Sequence, residues 1–236
     1  MKISFFFPAY RDEATVEPLA NLLDEVLGKH CDEHEIIVVD DASPDRVGEI
    51  ADRLAAENPR IRVVHHARNG GYGQAVLSGL RAARLPWIGF TDGDMQYDVR
   101  ELPRFIDRAR GGYDVVVGRK TNRAEGWTRS VTSYAYNAAV RACFGLGLHD
   151  TDCAFKLMSR SVIDDFEPSM HYHEAFVLVE ALYKAKRRGA RFAEVPVSHH
   201  ARVAGESLHF NWRTTRRLAW NTARGAVVGR LLGQWK

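Results

Sequence analysis

The stretch TDGDMQYD, Thr91 to Asp98, sets three carboxylates within seven residues directly after the apolar run PWIGF. Two carboxylates one residue apart at a strand end suit a hard divalent cation, because Mg2+ and Mn2+ take oxygen ligands and share them with substrate phosphates. Gln96 adds a neutral oxygen two residues on. Asp92, Asp94 and Gln96 therefore form a candidate set for Mg2+ or Mn2+, which would neutralise charge developing on a leaving diphosphate. A solvated acidic loop or a helix cap draws on the same residue type. Asp98, just before VRELPRFIDRAR, is read as such a cap rather than as a ligand.

Other chemistry-bearing residues also follow apolar runs. Asp41 in VVDDASPD could accept from a nucleobase N–H or a ribose hydroxyl, or, with Ser43, cap a helix that has Pro44 at its first position. Gly70 and Gly71 in RNGGYGQA precede a helical pattern, where glycine lets backbone approach a ligand or simply makes a tight turn. Pro8-Ala9-Tyr10 follows the first apolar run.

The elements that must position these residues alternate. ISFFF, EIIVVD, IRVVHH, PWIGFTD and YDVVVG are rich in Val, Ile and Phe and are bounded by turn residues or charge, as strands are. Between them EATVEPLANLLDEVLGKH, PDRVGEIADRLAAEN, YGQAVLSGLRAARL and VRELPRFIDRAR repeat apolar residues at three- and four-residue spacing, as helices do. Alternating strands and helices imply parallel strands, right-handed crossovers and a doubly wound α/β sheet, with ligands at the carboxyl ends of the strands. The second half is less regular: a polar stretch KTNRAEGWTRS, a helix from Val131 to Phe144, the segment DTDCAFKLMSR, a helix from about Glu174 to Arg188, a strand RFAEVPV, a loop HHARVAGESL and a terminal helix from about Asn211. The expected organisation is one domain, residues 1–208, with a nucleotide-binding half (1–118) and a second half (119–208), followed by a basic, aromatic helical extension (209–236).

A chain of 236 residues with 45% hydrophobic content can fill one large core. A net charge of +3 is too small to suggest nucleic acid, although basic residues dominate from Lys184 onward. Cys31, Cys143 and Cys153 are odd in number and lack metal-site spacing, which fits a reducing cytoplasm. MKISFFFPAY is too short in its apolar run for a signal peptide, and no run reaches the 18 apolar residues of a membrane span. Membrane contact would be peripheral: FNWRTTRRLAWNTARGAVVGRLLGQWK carries Trp212, Trp220 and Trp235 beside arginines, a composition suited to an anionic interface or to packing against the domain or a second subunit.

Taken together and in order, PAYRDEATV, VVDDASPD, HHARNGGYGQAVLSGL and TDGDMQYDVREL resemble the nucleotide-binding half of family 2 glycosyltransferases, which have the glycosyltransferase-A fold. VVVGRKTNRAEGWTRSVTSYAYN, DTDCAFKLMSR and EVPVSHHARVAGES resemble the branch that includes dolichol-phosphate mannose synthase and bacterial polyprenyl-phosphate glycosyltransferases. The resemblance implies a single Rossmann-like domain with a mostly parallel sheet. It also implies that Pro8, Ala9, Tyr10, Glu13 and Gly71 line the donor pocket, that Asp41 contacts the base, and that Asp92, Asp94 and Gln96 hold the metal and diphosphate. Two departures are Arg11-Asp12, where Asn-Glu is common, and CAFK for CGFK.

By the same resemblance Arg119, Arg129 and Ser133 match phosphate-holding positions, and Arg202 closes over donor or acceptor phosphates. A hydroxyl acceptor would need a general base, for which Asp152 is the candidate, beside Asp150. A lipid phosphate is already anionic and needs cations to position it. Glu180 is read as a buried or salt-bridged wall residue, and a soft metal site at His171, His173, His199 and His200 is disfavoured. The expectation is an inverting, metal-dependent transfer of a hexose from a UDP- or GDP-sugar to a polyprenyl phosphate at the cytoplasmic face of a membrane. The alternatives are a soluble hydroxyl acceptor or a non-catalytic nucleotide-sugar-binding protein.

Overall fold

The computed structural model describes residues 1–123, 127–164, 166, 168, 176–202, 220 and 224. Its elements run β1 (Lys2–Ala9), α1 (Val16–His30), β2 (Glu33–Asp40), α2 (Val47–Glu57), β3 (Ile61–His65), α3 (Tyr72–Ala82), β4 (Trp87–Phe90), a 3-10 turn (Val99–Glu101), α4 (Leu102–Arg110), β5 (Val115–Arg123), α5 (Trp127–Phe144), β6 (Lys156–Ser159), α6 (Arg160–Ile163), α7 (Phe176–Arg187) and β7 (Phe192–His199). The strands form one seven-stranded sheet in the order β3-β2-β1-β4-β6-β5-β7.

The central strands β1 and β2 are buried almost end to end, as a parallel sheet covered on both faces requires. α1 turns Val16, Leu19, Ala20, Leu23, Val26 and Leu27 onto this core at helical spacing. α1 packs beside α2 and α4, and α3 beside α7. Asp98 does what its position suggests, accepting from Arg100 N at 3.0 Å to cap the 3-10 turn.

The sheet is mostly parallel, as the resemblance implies: β6 alone among these strands runs antiparallel to its neighbours β4 and β5, while β5 pairs parallel with β7. β6 comes from the middle of DTDCAFKLMSR, whose four strand residues are too few to show a period and begin with Lys156. One boundary is corrected: β5 continues beyond Gly118 to Arg123, through the polar stretch KTNR, because β7 offers it a ladder as far as His199.

The expected C-terminal extension lies outside the described residues, apart from Trp220 and Arg224, which are helical and exposed.

Candidate active site

The carboxyl ends of β1, β2 and β4 converge, and the backbone there is strained. Among the described residues the non-glycine positions with left-handed φ are Arg11 (60°), Ala42 (53°) and Met95 (57°), each in a loop leaving one of these three strands. Such conformations cost about 1 kcal/mol or more apiece, and they cluster where function demands a shape that packing alone would not select.

The β4 loop is held close to β1. β4 ends at Phe90, opposite Phe6, so Pro8 and Ala9 lie beyond that ladder. A Cβ on Gly93 would come within 2.5 Å of the Pro8 carbonyl, so only glycine permits this approach. Thr15 Oγ1 donates to the Gly93 carbonyl at 2.7 Å and fastens the two loops.

This places Asp92 and Asp94 together. Asp92 Oδ1 accepts from the Tyr72 hydroxyl at 2.8 Å. Asp94 Oδ1 accepts from Gln96 N at 3.1 Å and its Oδ2 from Arg202 Nε at 3.1 Å. Arg202 also lies 3.8 Å from Asp12 Oδ1, and Asp12 accepts from Tyr10 N at 3.1 Å. Burial, reinforced by the neighbouring Asp94, pushes the Asp92 carboxyl up to about 7, and burial pushes Asp12 up to about 6. Crowded carboxylates with raised proton affinity are what a cation would relieve. Among the described residues no three His, Cys, Asp or Glu side chains form a complete cage. That suits Mg2+ or Mn2+, which are commonly held by one or two carboxylates and substrate phosphates. Gln96, proposed to complete the set, donates its amide Nε2 to the His200 carbonyl at 3.0 Å, which ties the β4 loop to the end of β7.

On the donor side Asp41 is buried rather than capping α2. Its Oδ1 accepts from His66 Nδ1 at 2.6 Å and Gly70 N at 2.8 Å, and its Oδ2 from Gly71 N at 2.9 Å. Gly71 precedes α3 with φ 82°, which only glycine adopts without strain. The start of α2 is served instead by Asp45, whose Oδ1 accepts from Val47 N at 3.3 Å. Pro44 thus lies before the helix. Pro8 and Ala9 are buried at the crevice and Tyr10 is half-buried, whereas Glu13 is exposed at the rim, its Oε2 accepting from Arg46 N at 3.1 Å.

The opposite wall is built from β5 and the loop before β6. Adjacent strand residues face opposite ways, and the structure turns Lys120 inward while Arg119 is exposed. Lys120 Nζ lies 3.6 Å from Asp152 and 3.9 Å from Asp150. It is also close enough to hold down the proton affinity of Asp92. Asp150 is buried, while the Asp152 side chain keeps 37% of its exposure. The structure thus brings Asp92, Asp94, Asp152 and Arg202 into one neighbourhood, with Arg119 exposed on β5 beside Lys120. Ser133 is half-buried on α5, its carbonyl accepting from Asn137 Nδ2 at 3.0 Å. The side chain of Arg129 and the residues His171 and His173 lie outside the described residues. The His199 ring packs edge-on against Tyr97 at 5.0 Å, and Glu180 is buried with Lys184 at 3.0 Å.

Residues that motif reading did not single out hold the site in place. Asn137 Oδ1 accepts from Thr151 N at 2.7 Å and Thr151 Oγ1 at 2.8 Å. The buried Lys156 ammonium donates to the carbonyls of Thr151 and Cys153. Tyr72, His66 and Lys120 belong to the same group. Tyr72 and His66 lay inside HHARNGGYGQA and Lys120 next to Arg119, so proximity to a motif was their one available signal.

Comparison with known proteins decides the family. The model of glycosyl transferase family 2 matches residues 4–166. The chain belongs to this family. The chain is 35% identical over 206 residues to glycosyltransferase AglD of Haloferax volcanii, which covers 84% of this chain and 33% of that protein. It is 32% identical over 213 residues to the undecaprenyl-phosphate 4-deoxy-4-formamido-L-arabinose transferase of Edwardsiella ictaluri, covering 88% of this chain and 62% of that one. The chain thus spans less than two thirds of the length of these relatives. In fold it matches glucosyl-3-phosphoglycerate synthase from Mycobacterium tuberculosis in complex with Mn2+, UDP and glucosyl-3-phosphoglycerate. The TM-score is 0.67 at 21% identity, with 95% of this chain and 79% of that one covered. The same enzyme in complex with phosphoglyceric acid gives a TM-score of 0.70 at 21% identity, with 94% and 79% covered. The glycosyltransferase-A fold expected from the motifs is therefore the fold observed.

Proposed function

We propose that the chain transfers a hexose, with inversion, from a nucleoside-diphosphate sugar to a polyprenyl phosphate. The observation that carries this reading is the charge arrangement of the crevice: Asp92 and Asp94 on one wall, with Lys120 and Arg202 facing them. Mg2+ or Mn2+ at the aspartates would supply a positive centre for the diphosphate leaving group. Asp92 and Asp94 hold that position, Tyr72 orients Asp92, and the β1 and β2 loops with Asp41 and Gly71 enclose the nucleotide. Lys120 and Arg202, which here pair with Asp152 and Asp94, position an anionic acceptor oxygen, which attacks the anomeric carbon from the face opposite the leaving diphosphate.

A phosphate acceptor needs no general base. Asp152, the candidate base for a hydroxyl acceptor, stands 3.6 Å from the Lys120 ammonium, which competes for the carboxylate. This favours the lipid phosphate, as do relatives named as undecaprenyl-phosphate transferases. The Mn2+ and UDP in the neighbouring fold support a divalent cation and a nucleotide donor here. The division into a donor half (1–118), an acceptor half (119–208) and a C-terminal helix (209–236) follows from these roles.

No helix among the described residues is long and apolar enough to cross a membrane. Trp220 is 67% exposed and Arg224, one helical turn on, is exposed too. The pair supports peripheral contact with the cytoplasmic face, where the lipid acceptor is reached.

Incubation with radiolabelled UDP- and GDP-sugars, Mn2+ and a short polyprenyl phosphate tests the reading. Label is expected in the organic phase, and EDTA abolishes it. Label that never enters the lipid with any donor refutes the acceptor assignment.

A further inference from the structure

We infer that the donor nucleotide carries uracil rather than guanine, and that His66 sets this choice by occupying a lone pair of Asp41. The inference rests on the reading of Asp41 as the base contact and deepens it. An ionised carboxylate offers about four in-plane acceptor positions, two on each oxygen. In this structure Asp41 Oδ1 is filled twice, by His66 Nδ1 at 2.6 Å and by Gly70 N at 2.8 Å. Oδ2 is filled once, by Gly71 N at 2.9 Å. One in-plane position is left, on Oδ2.

The arrangement is rigid. The Gly70 and Gly71 donors are main-chain groups at the start of α3, and the Asp41 side chain is only 5% exposed. His66 is gripped from its far side by Ser78 Oγ, 2.8 Å from Nε2. Ser78, His66 and Asp41 thus form one hydrogen-bonded chain that fixes the imidazole with Nδ1 against the carboxylate.

A base is therefore met by one acceptor position. Uracil matches it, because the imide N3–H is the single donor on its pairing edge. Guanine presents N1–H and the 2-amino group side by side, which a carboxylate satisfies with both oxygens, and here Oδ1 has no in-plane position to give. Leaving one of those donors buried without a partner costs affinity. Cytosine places an unprotonated N3 where uracil has its N–H, so its lone pair would face the carboxylate.

Calorimetric titration of the whole chain with UDP, GDP, CDP and 3-methyluridine 5′-diphosphate, each with Mn2+, tests this. UDP is expected to bind at least tenfold tighter than each of the other three. His66→Asn, whose amide N–H can stand in for Nδ1–H, is expected to keep the preference. His66→Leu is expected to reduce the UDP-to-GDP ratio at least threefold without changing Mn2+ affinity measured in the absence of nucleotide. A merely structural role for His66 would weaken both nucleotides equally and leave the ratio in place. GDP or CDP binding as tightly as UDP, or 3-methylation without effect, overturns the inference while leaving nucleotide binding intact. Failure of all four to bind overturns the donor-site reading itself and this inference with it. The nucleotide series needs no variant, so a poorly folding His66→Leu does not blunt it.

Discussion

On the donor side of the crevice Asp41 takes two of its three hydrogen bonds from main-chain N–H groups, whereas on the acceptor side the loop 150–154 is held by the side chains of Asn137, Lys156 and Tyr97. The donor loops also carry the strained residues Arg11, Ala42 and Met95. A wall built on backbone geometry depends on a few glycines and turns, which leave a strong local pattern. A wall built on side chains depends on partners far apart in sequence, such as Asn137 and Thr151 or Lys120 and Asp152. The first kind tolerates substitution of neighbouring side chains; the second fails when one of them is removed.

The sharpest test of this contrast sets Lys120 against Arg119. Lys120→Met is expected to lower kcat/KM about a hundredfold, as the loss of a preorganised cation does. Arg119→Met, on the outward face, is expected to stay within about threefold, well below that electrostatic effect. Equal losses in steady-state transfer assays would show that the wall is not read correctly.

Lys156→Met probes the acceptor loop itself. It leaves the Thr151 and Cys153 carbonyls buried without their donor, and a cost of about 3 kcal/mol is expected in denaturant titration.

On the donor side, Asp92 should show its strain as a pH effect in the metal-free protein. Its folded-state carboxyl is raised to about 7, so between about pH 4 and 7 the folded chain holds a proton that the unfolded chain has lost. Stability from this group is therefore present at low pH and falls as pH rises through 7. Asp92→Asn is expected to flatten that fall and to stabilise the metal-free protein at pH 8 by on the order of 1 kcal/mol, while eliminating Mn2+ binding. Thermal melts at pH 5.5 and 8 measure it; a steeper fall in the variant would contradict the assignment.

The smallest effect is expected at Ala42. Glycine accepts its φ of 53° without a Cβ clash, and Ala42→Gly should be neutral to stabilising, by up to about 1 kcal/mol. A loss of stability would mean that the β2 loop is not strained.

Much of the donor half was legible because its determinants are local. A buried parallel strand shows as a continuous apolar run, and the loop that follows must carry its own turn residues, so VVDDASPD, RNGGYG and TDGDMQYD announce themselves. The acceptor half hid for the opposite reason. β6 has four residues and becomes a strand only because β4 and β5 leave a gap between them. The resemblance points to Arg119 as a phosphate holder, while the contact of its neighbour Lys120 with Asp150 and Asp152 left no local sign.

Element types, the alternating α/β order and the aspartate pair after β4 were set by short-range patterning, since hydrophobic period and turn chemistry act over a few residues. The antiparallel insertion of β6, the filling of Asp41 by His66 and two glycine N–H groups, and the meeting of Lys120 with Asp150 and Asp152 depend on groups tens of residues apart. Such contacts exist only once the sheet has closed, because a hydrogen bond or ion pair is fixed by distance and direction in space rather than by spacing along the chain.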